Sequence, residues 1–502
     1  MRRVLDLVRP LLPIRREERG LAILLYVLLS LMVLSDWVGK VGANALFVKR
    51  FGVEYIPLMY VITPIAMLAT SALLFAFLDH VRRRTLLAGY IAAVMVASLA
   101  IQIALPLGGI VLPVAYVFAH GVKETIYLLF WVYVGNLYDG EQSQRLFPFF
   151  AGAVLIGKIF GGVAATALVP VIHSENFMGA QAVGFLVCLM LILLYRDRLP
   201  EGRGAAQSSA PRAAGIGETV RNTIDGYRAV TSDELLKVLG VGVFLWYLLM
   251  QMGNYLYLVG LDVLSTLPVE QQSEDAFSQA YASVYTGGSL VALGIQTFLT
   301  GALLRRLGVG LMLFLLPLWY LAAFTGALIA FNFVAAVAIQ LGERVIVHAL
   351  HRPTTELVYN QVAENIRPRA RTFLSGGVNA LGNLGAAAML LAAAATGICA
   401  TSVLGLAGMF SVVFVVNAWS LRRTYGRRIA ANLASDVGEL RWNALQVLAR
   451  ERSAVPVDAL LALAVAPLEG LEGSLRVALK GGPDDSGSLG QQPNRRPEEV
   501  GP

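Results

Sequence analysis

Apolar stretches of about 20 residues recur along the chain with short polar breaks, the length a helix needs to cross a bilayer. Spans are expected near 20–47, 56–78, 86–107, 110–137, 147–170 and 178–195. They resume near 236–262, 279–302, 309–330, 332–352, 372–395 and 398–420. The first run is too long for a cleaved leader and reads as a true span. Composition agrees. Charged residues are 15% of the 502 residues and hydrophobic residues 57%. A soluble protein carries about 25% charge. Lipid is therefore the expected solvent, and most soluble enzymes are excluded before any motif is read.

A polar gap near 197–234 contains Gly204-Ala-Ala-Gln-Ser-Ser-Ala-Pro211 and many charges. It reads as a cytoplasmic linker, with a short amphipathic piece around Val220–Leu236. The expected organisation is a six-helix bundle at 1–196, that linker, and a second six-helix bundle at 235–420. A cytoplasmic helical tail follows at 421–480, and 481–502 has a disordered composition. Arginines cluster at 15–19, 82–84, 196–228, 305–306, 367–371 and 422–428, while the alternate loops carry almost none. The positive-inside rule then puts both termini in the cytoplasm. The net charge of +7 reads as this topological signal and not as nucleic-acid binding. Lys49 and Arg50 are the exception, because they fall at the outer end of the first span. The loop Asp262–Phe277, also outside, is net acidic.

The chain repeats weakly within itself. Gly152-Ala-Val-Leu-Ile-Gly-Lys158 resembles Gly376-Gly-Val-Asn-Ala-Leu-Gly-Asn383, with one residue of slip. Each segment opens the fifth span of its half. Two sixes, a central linker and basic second loops together resemble the major facilitator architecture. The fold class is thus all-α and polytopic, with the cargo site between the halves near the midplane.

Charges inside hydrocarbon are costly, so they point to function. Asp36 and Lys40 lie four residues apart in span one and can pair on one helix face. Span four carries Lys123, Glu124 and Tyr127. Lys123 and Glu124 are adjacent, project about 100° apart, and need other partners. Asp139 and Arg145, in the turn that follows, read as either a gating pair or a solvated loop. Lys158 sits inside Gly157-Lys-Ile-Phe-Gly161, a spacing that usually means close helix packing. In the second half Gln251 and Asn254 lie mid-span. Span ten carries Gln340, Glu343, Arg344 and His348. Arg352 and Glu356 beyond it are spaced to pair, and Pro353 can break the helix between them. Cys188 and Cys399 read as small apolar residues. No phosphate-binding loop, HExxH or Gly-x-Ser-x-Gly supports enzymatic chemistry. No cofactor, metal ligand set or catalytic residue is expected.

Several of these segments are similar to the ATP/ADP translocase family of plastids and intracellular bacteria. Lys123-Glu-Thr-Ile-Tyr-Leu-Leu-Phe-Trp131, Asn136 and Gln142-Ser-Gln-Arg-Leu-Phe-Pro148 follow that family's span-four order. Pro353-Thr-Thr-Glu-Leu-Val-Tyr359, Ala380-Leu-Gly-Asn-Leu-Gly385 and Phe47-Val-Lys-Arg-Phe-Gly52 also resemble family segments. In the family, two lysines and two glutamates handle the nucleotide. The resemblance implies Lys49 and Glu124 for the first of each. The second glutamate falls near Gln251 or Asn254, and the second lysine falls at Asn383. Lys158, at the repeat-equivalent of Asn383, can supply the missing cation.

The expected function is therefore alternating-access transport of a small phosphorylated or other anionic solute, with a nucleotide as the narrower implied cargo. Lys49, Lys123, Glu124, Tyr127 and Lys158 would bind from the first half. Gln251, Asn254, Arg352, Glu356 and Asn383 would bind from the second. Asp36–Lys40 and Asp139–Arg145 are the gating pairs. The bacterial inner membrane is the expected location. Two alternatives stay open: a non-transporting scaffold or sensor whose tail docks a cytoplasmic protein, and a lipid or drug carrier of the same fold.

Overall fold

The computed structural model describes residues 15, 18–78, 81–135, 137–138, 140–201, 216–263, 273–363, 366–396, 400–435, 440–441, 443–445 and 447. Helices and helical turns form all of the regular structure among them. Each expected span has a helical counterpart. α1 runs Arg19–Leu46 and continues as a π turn over Phe47–Phe51. α2 is Ile56–Leu78, α3 Arg83–Ala104, α4 Val111–Gly135, α5 Gly140–Ile172 and α6 Phe177–Leu194. A linker helix, Ile216–Ser232, leads to α7, Glu234–Val263. α8 joins Glu274–Gly294, a π turn Ile295–Leu299 and Thr300–Met312. α9 is Leu315–Ile329. α10 joins Phe333–Leu341, a π stretch Gly342–His351 and Arg352–Tyr359. α11 joins Arg367–Thr372, a π stretch Phe373–Val378 and Asn379–Ala395, and α12 is Ala400–Leu433.

Ten of these segments are long and apolar enough to cross a membrane. The other two helices are α4, with 25 residues, and α9, with 15. Backbone groups in lipid must bond within their own segment, which the helices achieve. Their outer faces are apolar in the manner of lipid-facing surfaces: Leu107, Phe298 and Ile329 are each about four-fifths exposed. The chain is an all-α, multi-pass integral membrane protein.

The repeat appears as matched helix contacts. A Cβ at Gly157 on α5 would lie 2.6 Å from the Ser30 carbonyl of α1. A Cβ at Gly382 on α11 would lie 2.8 Å from the Phe244 carbonyl of α7. Both glycines let two backbones touch, the usual role of small residues between membrane helices. Gly161 packs equally closely on Trp37. Lys158 and Asn383, each one residue further on, therefore occupy corresponding positions in the two halves.

Three expectations change. The amphipathic piece ends at Ser232, not Leu236. Asp233 there accepts from the Leu235 and Leu236 amides and starts a new helix. The ninth span starts where expected but is not one continuous helix: Gly308 turns the backbone at φ 72°, Val309–Met312 is helical, and a short turn separates it from α9 at Leu315. Pro353 does not break α10. The helix widens to a π stretch ahead of it, and Thr300 of α8 donates to the Ala349 carbonyl at 2.8 Å. That carbonyl is the one an α turn would have paired with the missing proline N–H.

The arginine-rich ends lie together. Arg84 donates to the carbonyls of Arg196 and Leu199 and pairs with Glu201. Arg428 pairs with Asp233 and donates to the Gln361 carbonyl. Beyond α12, Ala444 and Leu445 join the apolar core at this end of the second half, and Val447 packs against it. Of the expected tail, residues 436–439, 442, 446 and 448–480 lie outside the described residues, as do 481–502, Cys399 and Asn136. Cys188 is fully buried among apolar side chains.

Candidate functional site

At the arginine-poor ends the two halves are joined by charge. Lys49 Nζ sits 2.8 Å from Asp262 Oδ1, joining α1 to α7. Arg50 pairs with Glu274 at the start of α8 and, at 3.1 Å, with Glu175. Asp275 accepts from the Ser174 amide at 2.7 Å and the Ser174 hydroxyl at 2.6 Å, and its other oxygen lies 2.7 Å from His173 Nδ1. His173 holds φ at 56°, rare for a residue with a side chain. Asp275 lies across from it and raises the His173 pKa above its usual 6.5, chiefly by the hydrogen bond. An open basin of about 450 Å³ is lined by Lys49, His173, Glu175, Ser273, Glu274 and Asp275. The two basic residues that break the topology rule and the acidic loop across from them thus neutralise each other.

The seam between α1 and α8 continues inward through two further contacts, two helical turns apart on α1 and one on α8. Asn44 Nδ2 donates to Tyr281 Oη at 3.4 Å. Below it Trp37 packs on Tyr285 at 4.9 Å between ring centres. Tyr281 and Tyr285 stack at 4.5 Å, and Tyr257 of α7 adjoins both. These rings are almost wholly buried.

Charged and amide groups collect beneath this aromatic floor. The Arg344 guanidinium lies 3.6 Å from the centre of the Tyr285 ring. With its amide oriented to satisfy its neighbours, the Gln340 oxygen accepts from Tyr285 Oη at 3.0 Å and from Arg344 Nε and Nη2 at 3.1 Å each. Its nitrogen donates to Asn254 Oδ1 at 3.1 Å. Arg344 is partly accessible although it sits at mid-depth. Among the described residues no carboxylate forms an ion pair with it. One turn on, His348 feels the charges of Lys158, Arg352 and Arg344. Its Nδ1 faces the Glu343 carbonyl at 3.2 Å, so its other nitrogen is turned away from the helix backbone. The π stretch of α10 carries Glu343, Arg344 and His348; such stretches often mark functional sites.

The sequence-derived residues divide into groups. Lys158 and Arg352 share the surroundings of His348, with Asn254 beside Gln340. Gln251 is partly buried three residues before Asn254. Tyr127 packs against the core of the first half. Asn383 donates to Asn379 Oδ1 at 2.5 Å. Lys49 stands apart from this group, in the outer closure. Glu356 does not pair with Arg352. It pairs with Arg371 of α11, while Arg352 lies 5.9 Å from the Trp246 ring. The separate α segment after the π stretch leaves Glu356 exposed toward α11. Asp36 and Lys40 pair at 3.9 Å, as their spacing implied. The side chains of Lys123, Glu124 and Arg145, and all of Asp139, lie outside the described residues. Tyr281, Tyr285 and Tyr257 were not singled out from sequence. Phe277, Tyr281 and Tyr285 form an i, i+4, i+8 aromatic stripe that could have flagged them.

The chain shares its fold with several transporters of known structure. The chain is similar to the nucleoside transporter NupG, at 15% identity and TM-score 0.58, covering 80% of this chain and 99% of that one. It is similar to a bacterial homologue of the iron transporter ferroportin in an inward-facing state, at 14% identity and TM-score 0.56, covering 80% and 100%. It is also similar to a bacterial homologue of the lysosomal transporter Spinster, inward-facing and unoccupied, at 13% identity and TM-score 0.51, covering 83% and 99%. No protein-family model and no curated protein matches the chain. At such identities the likeness establishes the major facilitator type of fold. Those three proteins are transporters rather than enzymes, and none is an ATP/ADP translocase.

Proposed function

We propose that the protein is an alternating-access transporter of a small anionic solute, in a conformation closed at its outer ends. One observation supports the reading: cations from both halves, Lys158, Arg344 and Arg352, lie around His348, inward of a seam that is locked at one end. Lys158 comes from α5 of the first half, and Arg344 and Arg352 come from α10 of the second. An anion between them would be held by whichever half stays in place as the other moves. Desolvated cations bind phosphate or carboxylate strongly, and arginine does so through paired N–H groups. Asn254, Gln251 and Asn383 would supply neutral bonds from the second half. Lys123, Glu124 and Tyr127 would complete the first half's contribution.

A phosphorylated metabolite is the favoured cargo class, with ATP/ADP exchange as its narrowest form, supported by the span-four and span-ten motifs. Lys49 takes the role of a gate residue in this reading, beside Asp36–Lys40 within the first half. The bacterial inner membrane is the proposed location. Purified protein in liposomes, given labelled ATP, ADP and inorganic phosphate in turn, tests the reading. Saturable uptake or exchange of one of them supports it. No saturable flux of any, with unchanged thermal stability on adding each, sinks the phosphorylated-cargo version.

A further inference from the structure

We infer that Arg344 couples cargo binding to the outer closure: its guanidinium takes the anionic group of the cargo, and its stack on Tyr285 holds the seam shut while the site is empty. The inference rests on the transporter reading above. Three observations carry it. First, among the described residues no carboxylate touches Arg344: the neighbouring Glu343 attracts it only from a distance, and a cation at mid-depth in a membrane calls for a closer counter-charge. Second, that cation lies 3.6 Å from the centre of the Tyr285 ring. Third, Tyr285 also packs on Trp37 of α1, at 4.9 Å between ring centres, where the two halves adjoin.

The physical link is the charge itself. A cation over a ring is held by the ring's electrostatic field, and the hold strengthens when water is absent. An anion bound to the same guanidinium offsets its charge and draws it toward the cargo. The hold on Tyr285 then weakens. Tyr285 and Trp37 are freed to part, and α1 and α8 can separate from the floor of the seam outward. An empty site keeps the full cation–ring attraction and stays closed. Gln340 supports the arrangement. Its oxygen accepts from both Arg344 and Tyr285, so the two side chains move as one unit.

Arg344 is thereby a specificity residue as well as a brace. Its planar fork suits carboxylate or phosphate groups that can take two parallel bonds, and a lysine there would keep the charge but lose the fork and the flat stack.

The test uses a cysteine at Ser278, a buried position on α8 two turns above Tyr285, in a Cys188→Ala, Cys399→Ala background. Its labelling rate by a membrane-impermeant maleimide from outside reports seam opening. Arg344→Gln is expected to raise the anion-free rate by about two- to fivefold, the size of one cation–ring contact. Tyr285→Leu should do the same, and Tyr285→Phe, which keeps the ring face and loses only the hydroxyl bond to Gln340, should raise the rate less than Tyr285→Leu. Phosphate or ATP, each added separately, should speed labelling of the parent protein and leave Arg344→Gln unchanged. Parent-rate labelling of both Arg344→Gln and Tyr285→Leu overturns the brace. An equal response of parent and Arg344→Gln to an anion overturns the coupling. If neither anion affects the parent, the phosphorylated-cargo reading fails by itself, and the anion-free comparison still decides the brace.

Discussion

Lys49 Nζ lies 2.8 Å from Asp262 Oδ1 across the two halves of the molecule, although 213 residues separate them in the chain. With Arg50, Glu175 and Glu274 it forms the outermost layer of the seam. Both partners of the pair are only partly accessible, so the pair is screened less than a surface one. Asp262→Asn should shift the conformational balance toward the open outer face by about 0.5–1 kcal/mol, or roughly two- to fivefold in population. Outside labelling of the Ser278→Cys reporter measures this. Exchanging the charges, Lys49→Asp with Asp262→Lys, should restore slow labelling. A charge exchange no better than either single change would remove the pair from the gate.

His173 makes the outer closure pH-dependent. Its hydrogen bond and attraction to Asp275, with Glu175 adding to them, raise its pKa above 6.5. Arg50, Lys49 and Glu274 are the other charges facing this corner. The proton is therefore bound more tightly in the closed form. Closure gains its full contribution from His173 below pH 6.5 and loses it as the external pH rises through the raised value. Reporter labelling should speed up over that interval, and His173→Gln should flatten the profile. An unchanged profile in His173→Gln would assign the dependence to another group.

Gly157 and Gly382 should tolerate no side chain. A methyl group at either meets a backbone carbonyl that cannot rotate away. Gly157→Ala and Gly382→Ala should each cost about 1–3 kcal/mol, seen as a lower thermal midpoint in detergent. Gly376→Ala, with nothing within 4 Å of the added carbon, should have little effect.

Thr300→Val removes the donor to the Ala349 carbonyl while keeping the side-chain shape. A loss of about 1 kcal/mol is expected. Thr297→Val is the control, because its hydroxyl bonds only the Leu293 carbonyl in its own helix. Equal losses would deny the Pro353 carbonyl any special need.

Lys158→Gln should raise KM for the transported anion about tenfold or more, since one counter-charge is lost in a partly desolvated site. Glu356→Gln should leave KM near the parent value, because Glu356 pairs with Arg371 on an exposed face. A KM response to Glu356→Gln equal to that of Lys158→Gln would return Glu356 to the binding group.

The sequence by itself determined where the helices lie and which end of each is basic. Hydrocarbon admits little backbone but helix, and a span has one workable length, so α2 and α6 match their expected ranges to within a residue. It also identified the repeated glycine contact of Gly157 and Gly382, because the contact is made by the same residue type in both segments. The short-range pair Asp36–Lys40 was legible, as two residues four apart on a helix must meet. Partners on different helices were not. Arg344 stood out as a charge in a span, yet nothing local said that its guanidinium would stack on Tyr285 of α8. Arg352 and Glu356 had the right spacing and took other partners. Lys49 was legible as an anomaly, but its meaning depended on Asp262 arriving from the other half. Spacing fixes contacts within one helix, because the helix is rigid and periodic. Contacts between helices depend on tilt, rotation and the π stretches that reset a helix face, and only the assembled bundle decides those.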